Sequence, residues 1–257
     1  MQKHDTQQNS GGQKLYLSVL LMLLALVSVT AATVAWFTIA DNTRLRSMSM
    51  DVTSGPAIRF DLDAHGEVSE YKKTLTFGEI ADRILAEQGF DMRQTPLNPV
   101  TTRDGAAFTR RNGAPVSADN GSYLEFTLHF IATKDVVVHL TSENSAGKTD
   151  GTLVSSQTQS ALPQAMRISF TADGKTVVFD PGMGDTATTE NGVRTFGLPD
   201  AKSMVYTDKN ALFSLQQEVD KPVVVRIWLE GTDPACDNSL QGTDYSIRLR
   251  FSSNDVG

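Results

Sequence analysis

Apolar and polar side chains alternate along most of this chain. In "YLEFTLHFIA" (residues 123–132), Leu124, Phe126, Leu128 and Phe130 fall on one side and Glu125, Thr127 and His129 on the other. That is the period-two pattern of a strand with one buried face. "DVVVHLTS" repeats it with Val136, Val138 and Leu140, and strands are predicted at 166–172, 175–180, 211–219, 222–231 and 245–253. Nearer the start, Met48, Met50 and Val52 alternate with Ser47, Ser49, Asp51 and Thr53 in "SMSMDVT". Many short strands separated by Gly, Pro, Asn and Asp predict a mainly β chain folded as a β-sandwich.

One segment breaks the alternation. "FGEIADRILAEQG" places Ile80, Ile84 and Leu85 on one side at helical spacing and stops at Gly89, a natural helix end, so it reads as a short helix inserted into a β protein. The stretches 95–122, 142–164 and 181–200 are rich in small and polar residues. They read as long surface loops, where binding is expected.

A different signal precedes all of this. Leu15 to Ala40 is a run of 26 uncharged residues, longer than the roughly 20 that a helix needs to span a bilayer. Its Leu-rich part passes into small residues toward Trp36, as a signal sequence does before its cleavage site. Ala31, Ala32, Ala35 and Trp36 mark the expected cleavage region for a signal peptidase. The chain therefore divides into 1–40, a hydrophobic signal or anchor helix, and 41–257, an exported β-sandwich domain. If the segment is not cut, residues 15–39 attach the domain to the membrane. Basic residues flank the run equally, with Lys3 and Lys14 before it and Arg44 and Arg46 after it, so they do not set its orientation.

Charge narrows the partners. The chain carries −7, and loss of residues 1–40 removes Lys3, Lys14 and Asp5, leaving −8. An acidic body without a basic stripe offers no footprint for nucleic acid. The lone Cys236 cannot close an internal disulfide, so the exported domain is held by its core alone, a habit of secreted proteins of Gram-positive-type bacteria.

Candidate chemistry changes little. If the strands around 124–131 and 136–142 form a hairpin, one register sets His129 opposite His139, but no third ligand accompanies them. "DLDAHGE" (61–67) begins like a calcium loop, yet Lys72 stands where the bidentate Glu is required, which leaves a strand ending in a turn. "WLEGTDPACDNSL" gathers Glu230, Asp233, Cys236 and Asp237, a mixture of hard and soft donors that suits no common ion and reads as a loop ordering the end of the domain. Trp228 reads as core, although its phase relative to Arg226 conflicts with that. "NGS" at Asn120–Ser122 reads as a turn rather than a glycosylation acceptor. No zincin pair, serine elbow or phosphate loop occurs, so neither a catalytic residue nor a cofactor or metal site is expected, and the chain does not read as an enzyme.

The order of the Leu-rich run, "TVAWFT", "ADN" and the strand "SMSMDVTSG" resembles the N-terminal region of the TasA/camelysin class of secreted bacterial proteins, with their SipW-type signal peptides. The match covers about residues 15–55 and lacks the glycine that the class carries near the junction. The resemblance implies a jelly-roll-like subunit of a cell-surface or biofilm matrix fibre, extracellular once processed, that assembles with other copies of itself. The assembly strand would be the one carrying Met48, Met50 and Val52. The alternative reading is a membrane-tethered surface module that binds carbohydrate or protein through its long loops.

Overall fold

The computed structural model describes residues 16–25, 44–54 (backbone), 58–110, 112–141, 151–156, 160–180, 211–233, 235–240 and 243–255. Residues 16–25 are helical and exposed throughout. No described helix is long and apolar enough to cross a membrane. Ala31, Ala32, Ala35, Trp36 and the loop 181–200 lie outside the described residues.

The body is mainly β. One sheet runs in the order β12 (Ala211–Leu215), β8 (Val136–Leu140), β14 (Asp244–Asp255), β1 (Arg44–Ser54), β3 (Thr74–Leu75), with β9 (Leu153–Ser156) also paired to β14. The second runs β11 (Lys175–Phe179), β10 (Met166–Ala172), β13 (Lys221–Leu229), β7 (Leu124–Ala132), β2 (Ile58–Asp61). Their inner faces meet around Phe251 of β14. Its ring lies 5.1 Å from Phe130, 5.7 Å from Phe60 and 5.8 Å from Phe170, all three from the opposite sheet. Each ring pair meets edge-on, the arrangement aromatic quadrupoles favour.

A third, small sheet of β4 (Thr101–Thr102), β5 (Phe108–Thr109) and β6 (Pro115–Val116) belongs to the stretch expected to be loop. It covers a second core of Val100, Phe108, Ala118, Tyr123, Val178 and Trp228. This removes the phase conflict at Trp228. Val223, Val225 and Ile227 enter the main core, while Trp228 shares the other face of β13 with Arg226 and is completely buried there, 5.0 Å from the ring of Phe108. The second sheet is thus buried on both faces along part of its length.

The inserted helix is α1 (Phe77–Gln88). Thr76 and Glu79 exchange side-chain-to-backbone hydrogen bonds in a capping box, and Gly89 closes the other end at φ 73°. Its buried face is Ile80, Ala81 and Ile84. Leu85, expected on that face, is 42% exposed.

The hairpin condition is not met, and one strand expectation needs correction. β7 and β8 do not form a hairpin: residues 133–135 carry the chain from one sheet to the other, and β7 pairs with β13 and β2 while β8 pairs with β12 and β14. Both apolar faces still point into one core, from opposite sides, so the alternation is unaffected by the crossing. β12 ends at Leu215, and Gln216–Asp220 turns toward β13 with Glu218 at φ 56°.

Candidate functional site

The strand carrying Met48, Met50 and Val52 lies next to the edge of its sheet. β1 runs parallel to β14 from Arg44 opposite Asp244 to Ser54 opposite Ser252, with register shifts between Leu45 and Ser47 and between Val52 and Ser54. All other ladders between named strands of the described residues are antiparallel. Met48, Met50 and Val52 stand opposite Ile247, Leu249 and Phe251 of β14, and those three β14 side chains are buried, while Ser47, Ser49 and Asp51 stand opposite Ser246, Arg248 and Arg250. The opposite edge of β14 is tiled by β9 and β8. Beyond β1 lies only the two-residue β3, paired at Met50 and Asp51. The N-terminal strand therefore joins the C-terminal strand without a hairpin to hold it, and residues 55–57 are its whole connection to β2 in the other sheet.

The acidic stretch after β13 is a structural cluster. Glu230 is completely buried and accepts from Trp228 Nε1 at 3.1 Å, Thr232 N at 3.1 Å and Thr232 Oγ1 at 2.6 Å. Burial raises its pKa above the usual carboxylate value, and the hydrogen bonds oppose that only in part. Asp233 instead receives Arg167 Nη2 at 2.5 Å, and Asp180 lies 3.3 Å from the same nitrogen. Arg167 also donates through Nη1 to the carbonyls of Gln164 and Met166. Burial, reinforced by Glu230, Asp233 and Asp237, pushes the Cys236 thiol up to about 12. It is a neutral packing group rather than a nucleophile.

His129 and His139 lie in different sheets. His129 Nδ1 is 2.9 Å from Asp220 Oδ2, and Tyr71 Oη donates to Asp220 Oδ1 at 2.8 Å; His139 is buried in β8. In "DLDAHGE", Asp61 ends β2 and is buried; its oxygens serve Leu62 N, His65 Nε2 and Lys72 Nζ at 2.7, 3.3 and 3.4 Å. Lys72 thus neutralises the carboxylate that a calcium loop would reserve for its ion. Asn120 forms the expected turn, its Oδ1 accepting from Ser122 N at 3.1 Å. Among the described residues no group of three or more His, Cys, Asp or Glu is arranged to hold a metal.

Arg167, Asp180 and Tyr71 had no sequence signal. Arg167 and Ser169 occupy polar positions of an alternating strand, which reads as a solvated face; only the covering of that face buries them. Comparison of the chain with protein-family models, with characterised proteins and with solved structures finds no match in any of the three.

Proposed function

We propose that this protein is an exported structural subunit of the bacterial cell surface or biofilm matrix, a sandwich of jelly-roll type that links copies by exchanging β1. The observation that carries the reading is the placement of β1: a parallel strand opposite buried positions of β14, flanked on its other side only by the two-residue β3 and joined to β2 by three residues. A strand lying along β14 makes the same backbone ladder whichever copy supplies it. Exchange is then governed by concentration and by the hinge, and a short hinge favours it because the chain need not fold back on itself. Donation in one direction from copy to copy generates an open chain rather than a closed dimer. Processing in the region Ala31–Trp36 would free the segment before β1 to travel.

The test uses the register. Ser49 stands opposite Arg248, so Ser49→Cys with Arg248→Cys places two thiols across the β1–β14 ladder, and buried Cys236 does not compete. At high concentration, oxidation should give a ladder of covalent oligomers on a non-reducing gel, dissolved by reductant. Only intramolecular cross-linking, with monomers by light scattering at every concentration, would refute fibre assembly and leave the surface binding module as the better reading.

A further inference from the structure

A cleft of about 730 Å³ opens beside the small third sheet, on the side of the molecule away from the sheet that contains β1. It has the volume of a site for a small molecule of one or two rings. Arg103 follows the end of β4 and Arg110 follows the end of β5; because Thr101 pairs with Thr109 and Thr102 with Phe108, they sit beyond opposite ends of that ladder. Three residues of strand rise put them ~10 Å apart along it. Both are exposed. Among the described residues Arg110 forms no ion pair. In a chain of net charge −7, two guanidinium groups on one concave surface are a local reversal of sign.

Two carboxyl groups nearby among the described residues are already engaged. The Asp104 carboxylate turns back on its own loop, where Oδ1 accepts from the amides of Ala106 and Ala107, each at 2.8 Å, and lies 3.1 Å from Thr102 Oγ1. Thr232 lines the cleft, and beneath it Glu230 is buried, its proton retained to higher pH than an ordinary carboxyl by loss of solvent. Thr109 adds a hydroxyl, and Gly113 adds backbone in a left-handed turn with no side chain in the way. The aromatic rings Phe108, Tyr123 and Trp228 are buried below, so among the described residues no stacking platform for a neutral sugar faces the cleft.

We infer that this cleft binds a small acidic saccharide, whose carboxylate or phosphate is taken by Arg103 and Arg110 and whose hydroxyls meet the threonines. Planar guanidinium forks match such oxyanions in a way that lysines do not. The acidic body opposes long polyanions, and a ligand of one or two rings escapes most of that repulsion.

Calorimetric titration of the full chain with digalacturonate, glucose 6-phosphate and maltose tests this. At least one acidic ligand should bind with millimolar or tighter affinity, and the acid that binds identifies the anionic group; maltose should not. Arg103→Gln and Arg110→Gln should each weaken binding ~10-fold or more, the loss expected for a charge-assisted pair. Lys175→Gln, which removes a positive charge elsewhere, should leave it unchanged. The altered side chains are exposed, so unchanged melting temperatures serve as the folding control, and Arg110→Lys, which keeps the charge but not the fork, should fall between wild type and Arg110→Gln. Binding of neither acid, equal binding of maltose, or equal loss in Lys175→Gln would each overturn the assignment.

Discussion

The indole N–H of Trp228 donates to Oε2 of Glu230 at 3.1 Å, and both side chains are completely buried. Burial is the first cause of the raised Glu230 pKa. The unfolded chain releases this proton near the ordinary value of about 4.3, whereas the folded chain holds it to higher pH. The stability that protonated Glu230 supplies is therefore complete below about pH 4 and declines as pH rises through the folded pKa. The melting temperature of wild type relative to Glu230→Gln should fall across that window. A difference that stays flat from pH 3 to 8 would remove Glu230 as a titrating group.

Two glycines beside the cleft should respond unequally to alanine. Gly113 has φ 83° with nothing within 4 Å of an added Cβ, so Gly113→Ala should cost only the left-handed backbone penalty, about 1–2 kcal/mol. Gly105 has φ 70°, and its Cβ would lie 2.8 Å from Thr176 Cγ2 and 3.2 Å from Val178 Cγ2. Gly105→Ala should lose about 1–3 kcal/mol more, the usual range for overpacking. Urea denaturation of both variants measures the gap, and equal midpoints would contradict the close approach of the β4–β5 turn to β11.

Arg167 stands between Asp233 and Asp180 with its guanidinium completely buried. Arg167→Met should cost about 3–5 kcal/mol because it leaves buried carboxylates without their cation. Adding Asp233→Leu should recover part of the loss, as removing the second charge of a buried pair does. A double variant less stable than the single one in denaturant would show that the cluster holds the fold by geometry rather than by charge balance.

Deleting residues 36–53 should abolish high-mass assemblies while leaving the remaining sandwich soluble, with the β1 side of β14 open. Light scattering of the processed protein with and without the segment measures this. Assemblies that persist at full size in the deletion would place the contact between copies elsewhere.

Much of the fold was legible because a half-buried strand writes its period into its own residues. β7, β10, β13 and β14 fall close to where the alternation puts them. So does α1, whose capping box and terminal glycine are local chemistry. The two-residue strands β4 to β6 carry too few positions to show a period. The site divides the same way. The alternation of Met48, Met50 and Val52 identifies a strand with an apolar side, yet nothing in those residues names β14 as its partner. Arg103 and Arg110 were visible only as two cations in a threonine-rich stretch of an acidic chain.

By itself, the sequence determined which sides of β7 and β8 face inward, where the inserted helix begins and ends, and that the Asp61 loop has Lys72 at the position a calcium loop needs for Glu. Those properties depend on a residue, its near neighbours and water. Only the tertiary structure decided that β7 and β8 separate into different sheets, that β1 runs parallel to β14, and that Trp228 and Arg167 are buried on a face that alternation marks as polar. Strand partners are chosen by the register of two distant segments and by whatever covers the outer face, and period-two patterning is the same for every such choice.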